Sequence, residues 1–169
     1  MKKLFLIFAI VLFISCGNDK KEKSSDMQIG APVEDATPAS TTDDSVAVVT
    51  IDGNDQMKFN KSEIRVKAGQ KVKLTLKHVG TMDIKVMGHN WVLLTKDADM
   101  AAVGQAAALT EDIQHIPADK IDQIIVHTKM LGGGESDTIE FEAPAPGTYT
   151  FMCTFPGHYA LMNGKFIVE

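Results

Sequence analysis

Residues 151–162 read Phe-Met-Cys-Thr-Phe-Pro-Gly-His-Tyr-Ala-Leu-Met. One short segment thus offers a thiolate at Cys153, an imidazole at His158 and a thioether at Met162. Pro156-Gly157 forces a turn between them, so that His158 and Met162 can fold back towards the sulfur. A cysteine at a strand end with two further donors in the following loop is a plausible clamp for one ion. A trigonal or tetrahedral site needs another ligand, and His89 offers it from Gly88-His89-Asn90, just ahead of the apolar strand Trp91-Val92-Leu93-Leu94. Thiolate, two imidazoles and a distant thioether select copper: soft sulfur stabilises Cu(I), imidazole suits both oxidation states, and a weak axial methionine marks the blue-copper geometry. Zinc competes by ligand type, but structural zinc sites favour more thiolates. Taken singly, a methionine is ordinary core filler, and each histidine or cysteine has an ordinary packing explanation. The joint spacing is what singles them out.

The scarcity of cysteine sharpens the case. The 169-residue chain has two, Cys16 and Cys153. Lys2 and Lys3 precede an apolar run at 4–14 that closes on Ser15-Cys16. The run is short for a membrane-spanning helix, and its basic flank and small-residue ending read as an export signal over 1–15. Phe13-Ile14-Ser15-Cys16 resembles the lipobox of bacterial lipoproteins, in which the cysteine is acylated and becomes the mature N-terminus. Residues 16–44 are almost wholly polar, charged or small, with no apolar period, and are expected to form a disordered tether. As a flexible coil it spans about 30 Å root-mean-square. With Cys16 acylated, Cys153 stands alone in an oxidising compartment, where an unpaired thiol must be buried or ligated to survive.

Charge excludes one class of partner. The formal charge is −5, and loss of a signal carrying two lysines and no acid takes it to −7; a nucleic-acid partner would call for a basic patch. With 44% hydrophobic and 23% charged residues, a packed core is within reach.

The elements that must position the donors lie in 45–169. Val46, Val48 and Thr50 alternate with Ala47, Val49 and Ile51, an apolar run that predicts a strand covered on both faces. Val72, Leu74, Leu76 and His78 alternate with Lys71, Lys73, Thr75 and Lys77, giving one buried and one wet face. Ile139 and Phe141 alternate with acids, while Tyr149, Phe151 and Cys153 share a face after Pro146-Gly147. Asn163-Gly164 is a hairpin-type turn signal ahead of Phe166 and Val168. Residues 97–109, rich in Ala and opened by aspartates, predict a helix; 115–122 reads as a loop or short turn and Gly132-Gly133-Gly134 as a loop. Many short strands with one helical insertion predict an all-β, antiparallel Greek-key sandwich or barrel. His78, His115 and His127 are expected to be packing or loop residues.

Four segments carry a resemblance: Gly53-Asn54-Asp55-Gln56-Met57, residues 87–93 from Met87-Gly88-His89-Asn90 onward, His127-Thr128-Lys129, and Cys153-Thr154-Phe155-Pro156-Gly157-His158. Together they resemble the azurins, bacterial cupredoxins, over about 45–169. The resemblance implies a cupredoxin Greek-key β-sandwich of about eight strands with a helical flap. It implies one type 1 copper held in a plane by His89, Cys153 and His158, with Met162 as long axial ligand and the Gly88 carbonyl as a weak ligand opposite. Asn90 would pin the two ligand loops together and support the sulfur's hydrogen bonds, which tunes the potential, and Phe155 would stand behind the ligands with it. Met87, Val86, Phe155, Pro156, Ala160 and Leu161 would form an exposed apolar patch around His158, the electron's exit. The sequence departs from azurins in lacking the cysteines of their usual disulfide, in having Val79 where a proline usually follows the histidine equivalent to His78, and in its lipobox and tether.

The function expected is one-electron transfer between Cu(II) and Cu(I), by a monomer with no small-molecule substrate. Its partners would be redox proteins such as a c-type cytochrome or a reductase, and its contact with a bacterial membrane would be through the lipid anchor alone, on the periplasmic or cell-surface side. Multicopper oxidases and copper nitrite reductases share the ligand loop, but they need more domains and more histidines than the five present. A copper-delivery module without redox cycling is the alternative, and it would be expected to expose its donors.

Overall fold

The structure, a computed structural model, describes residues 45–169. The expected signal, the lipidation site at Cys16 and the tether lie outside the described residues. Among the described residues nine strands form: β1 (Val46–Asn54), β2 (Lys58–Phe59), β3 (Glu63–Val66), β4 (Lys71–His78), β5 (Val92–Leu94), β6 (Ile124–His127), β7 (Ser136–Glu142), β8 (Gly147–Met152) and β9 (Asn163–Val168). Two α-helices, α1 (Ile84–Met87) and α2 (Met100–Ala108), interrupt them. The strands make two sheets in the orders β2-β1-β4-β7 and β3-β9-β8-β5-β6.

Apolar alternation builds the core between the sheets. β4 reads exposed-buried throughout, sending Val72, Leu74 and Leu76 inwards to meet Ile51, Trp91, Leu93, Phe151 and Phe166, all without exposure. Its outer face meets the acids of β7: Lys71 reaches Glu140 at 2.7 Å, and the Thr75 and Thr138 hydroxyls meet at 2.8 Å. Such exposed pairs contribute at most about 1 kcal/mol each. The buried aromatics matter more, since each fully buried large side chain contributes about 1.5–3 kcal/mol by its removal from water.

Three expectations change. The sandwich is not purely antiparallel, because β1 runs parallel to β4 and β3 parallel to β9. β1 is not covered on both faces: Val48 is 72% exposed, since the opposing sheet covers one face of a sandwich strand. Asn163-Gly164 is no turn but the start of β9, paired with Met152 and Phe151. A Cβ on Gly164 would collide with the Phe151 ring and come within 2.6 Å of the Ser62 carbonyl, so this glycine serves close packing. The connection between β8 and β9 is instead the whole donor-bearing loop.

The predicted helix forms as α2. The Asp99 carboxylate accepts from the N–H groups of Ala101 and Ala102 at 2.9 and 3.1 Å, satisfying two of the free donors at a helix start. Val103, Gly104 and Ala107 face inwards. There they cover a second apolar cluster built on Val92, Leu94, Val103 and Met152. The loop or short turn expected at 115–122 includes a 3-10 turn, Ala118–Gln123.

Candidate metal centre

The loop between β8 and β9 brings three donors together. Cys153 donates its N–H to the Met162 carbonyl at 2.9 Å, carrying the β8–β9 ladder one rung into the loop. Gly157 takes a left-handed φ of 82°, and the His158 N–H donates to the Phe155 carbonyl at 2.9 Å. The N–H groups of Leu161 and Met162 both return to the His158 carbonyl, at 2.9 and 2.7 Å. This single turn folds His158 and Met162 back over Cys153, as the Pro156-Gly157 spacing predicts.

His89 arrives from a different part of the chain, held by a two-bond antiparallel bridge with Leu131. Its Nε2 lies 2.9 Å from the Asn54 carbonyl at the end of β1. A carbonyl only accepts, so Nε2 carries the proton and Nδ1 keeps its lone pair for a metal, the usual arrangement for a histidine ligand. Gly53 makes that approach possible, because a Cβ there would sit 2.9 Å from His89 Cδ2 and 3.4 Å from Met162 Cε. Behind His89 lies His78, its ring stacked at 4.3 Å and 19°. The Gly80 N–H donates to His78 Nδ1 at 3.1 Å, so its Nε2 is the donor to the Met87 carbonyl at 2.7 Å. The packed histidine expected from sequence is therefore an oriented wall for a ligand ring.

Donor spacing tests whether one ion fits. Cys153 Sγ lies 3.7 Å from His158 Nδ1 and 4.0 Å from His89 Nδ1. Bonds of about 2.3 Å to sulfur and about 2.05 Å to nitrogen, meeting at about 120°, separate such donors by about 3.8 Å. The three donor atoms lie within 4.8 Å of one another, so they fit a trigonal ion. Met162 is fully buried beside them, and the Gly88 carbonyl lies 3.9 Å from Sγ.

The electrostatics agree with this fit. Burial pushes the Cys153 thiol up to about 12, against the pull of the Asn90 and Phe155 backbone N–H groups. Burial, with the neighbouring His89 and His78, lowers His158 to about 4, and burial also lowers His89. Both imidazoles are thus neutral at physiological pH, as ligation requires. A bound cation displaces the thiol proton and removes the cost of a buried sulfur charge.

The remaining expected residues divide by exposure. Asn90 is buried and bonds Thr154 twice, from Nδ2 to the hydroxyl at 2.7 Å and from the Thr154 N–H to Oδ1 at 2.8 Å. Val86, Pro156, Ala160 and Leu161 are exposed, Met87 and Phe155 half-buried, and His158 is 3% exposed. His127 bonds the Thr128 carbonyl and is not brought to the site. His115 is nearer than a loop residue need be, its ring edge-on to Phe155 at 5.5 Å. Sequence reasoning missed the roles of Thr154, Gly53 and the Asn54 carbonyl, because small residues and backbone atoms carry no chemical signal of their own.

The family model for copper binding proteins of the plastocyanin/azurin family matches residues 45–169. The azurin of Bordetella pertussis is 50% identical over 123 residues, covering 69% of this chain and 79% of its own. Outer membrane protein H.8 of Neisseria gonorrhoeae is 42% identical over 119 residues, covering 69% of this chain and 64% of its own. The solved structure of reduced auracyanin from Roseiflexus castenholzii is 39% identical, covers 72% of this chain and 96% of its own, and superposes with a TM-score of 0.65. His89, Cys153, His158 and Met162 make the type 1 copper site of an electron carrier, not of an enzyme. Copper bound there would supply the one-electron couple, and the fold would hold the four donors in one place in both oxidation states. With ligand set, sheet architecture and sequence in agreement, this chain belongs to the plastocyanin/azurin family of copper-binding proteins.

Proposed function

We infer that this domain relays single electrons between redox proteins at a bacterial membrane, to which acylated Cys16 and the tether at 16–44 attach it. The observation that carries this reading is the closure of the site around one barely exposed ligand. His89, Cys153 and Met162 have no exposure and His158 has 3%. A copper-delivery module must let its ion go, which exposed donors favour; a relay needs its ion kept and one ligand edge within reach of a partner. His158 is that edge. Val86, Met87, Pro156, Ala160 and Leu161 around it form the docking patch, a small apolar contact suited to brief encounters. The partner is a c-type cytochrome or a reductase.

Within the site, the Gly88 carbonyl would be a further, weak ligand to copper, a role supported by its place near the sulfur. The N–H groups of Asn90 and Phe155 tune the potential by bonding the thiolate. The tethered setting has one support among the relatives. The relative from Neisseria gonorrhoeae bears the name of an outer membrane protein. β1 also starts where the tether ends and finishes at Asn54, which holds His89. At ~3.3 Å per residue, its eight steps put the start of β1 about 26 Å from that contact.

Addition of Cu(II) to the apoprotein should give an intense visible sulfur-to-copper band, absent in Cys153→Ser. A reduced c-type cytochrome should bleach it in stopped flow, and Ala160→Lys should slow that step with the spectrum unchanged. A colourless copper-loaded protein, or rapid loss of copper to a chelator at neutral pH, would return the delivery reading.

A further inference from the structure

The helical insertion touches the ligand loop at two independent points. At the first, the Tyr159 ring lies against Gly104 in the middle of α2, where a Cβ would collide with it and stand 2.5 Å from its Cγ. Tyr159 directly follows the ligand His158, and its carbonyl is held by Asn163 Nδ2 at 2.8 Å. It also packs on the apolar cluster of Val92, Leu94, Val103 and Met152, so one ring joins helix, sheet and ligand loop. At the second point, His115 Nδ1 lies 3.2 Å from the Ala107 carbonyl. Because that carbonyl only accepts, His115 is the donor. His115 holds a left-handed φ of 49°, and its ring meets Phe155 edge-on at 5.5 Å. Phe155 in turn lies 4.6 Å from the His158 ring, centroid to centroid, and its backbone N–H pulls the Cys153 thiol down against burial.

We propose that α2 is a positioning brace for the metal: Tyr159 seated on Gly104 fixes His158 from one side, and His115 bonded to Ala107 fixes Phe155, and through it the sulfur, from the other. The proposal rests on the copper site described above. It adds that the insertion, which contributes no ligand, sets how rigidly two of the donors are held. The physical basis is that a single-turn loop is held weakly by its own bonds, and groups behind a ligand determine its orientation. The seat is selective for glycine, because any side chain at 104 must push either the helix or the tyrosine away.

The test compares Tyr159→Phe, Tyr159→Leu, Gly104→Ala and the exposed-face control Gln105→Ala. Each is loaded with Cu(II) and read by visible spectrum, reduction potential and copper affinity against a chelator. Tyr159→Phe and Gln105→Ala should match the parent. Tyr159→Leu and Gly104→Ala should each shift the sulfur-to-copper band and the potential, and weaken copper binding roughly 10–100-fold. The double variant should lose little more than either alone, since both remove one contact. His115→Ala should move the potential through the second point. Lower melting temperatures with unchanged spectrum, potential and affinity would overturn the brace and leave α2 a mere cover. A parent protein that takes up copper without colour would fail the type 1 reading itself, a separate outcome. Should Tyr159→Leu not fold, Gly104→Ala and His115→Ala decide the matter by the same readouts.

Discussion

Individual residues at the site are constrained by contact distance. Gly53 leaves no room for a methyl group beside His89 and Met162. Gly53→Ala should therefore displace the His89 ring and reduce copper affinity roughly 10–100-fold, measured by competition with a chelator; unchanged affinity would mean that β1 yields at no cost. Asn90 carries another kind of constraint, since it ties Thr154 to the His89 segment by two buried bonds. Asn90→Ala leaves the Thr154 N–H without its partner, and a buried group so stranded costs about 1–3 kcal/mol. Urea unfolding of the apoprotein should show a loss of about that size. Titration follows from the same closeness. With His158 lowered from 6.5 to about 4 by burial and its neighbours, the unfolded chain takes up a proton in that interval that the folded chain refuses. Apoprotein stability should then be at its full value above pH 6.5 and fall as pH drops towards 4. His158→Gln should flatten that part of the profile, and an unaltered slope would locate the acid sensitivity elsewhere.

At the scale of elements, the site depends on parts that contribute no donor. β1 ends at Asn54 and orients His89 through a carbonyl, while the Leu131 bridge fixes the same residue's backbone. The β8–β9 ladder sets where Cys153 leaves the sheet. Helix α2 depends on its cap, where Asp99 satisfies two N–H groups. Asp99→Ala should cost about 1 kcal/mol of folding free energy, read by thermal unfolding. The sequence showed the amphipathic rhythm of β4 and the existence of α2, because solvent on one side and core on the other impose periodicity directly. It misled at Asn163-Gly164, where a turn-forming pair serves close packing against Phe151. It misled again at β1, whose run of apolar residues includes the exposed Val48.

For the whole molecule, the buried donor set implies that metal binding is folding energy. Copper binds the folded donors and not a scattered chain, so free copper at about a thousandfold over its dissociation constant should add about 4 kcal/mol. Scanning calorimetry of the apo and copper forms checks this, and equal melting temperatures would show that the site forms without stabilising the fold. Residues 45–169 contain both sheets and all four donors. A protein lacking 1–44 should thus keep its colour, and under the anchoring proposed above it should no longer sediment with membranes; unchanged sedimentation would remove the anchor from the proposal.

By itself the sequence determined the chemistry. Cys153, His158 and Met162 lie close along the chain, so loop length alone brings them within reach of one ion, and their softness selects copper. Their isolation from any second cysteine in 45–169 left ligation as the thiol's protection. What only the tertiary structure decided is how the site is held. His89 lies 64 residues from Cys153, and His78, Asn54, Gly53, Thr154 and α2 reach the site through backbone carbonyls, ring faces and the absence of a side chain. Those contacts depend on how two sheets and a helix pack. They leave no periodicity in the sequence, because a carbonyl or a missing Cβ is chemically alike at every position until the fold brings a partner against it.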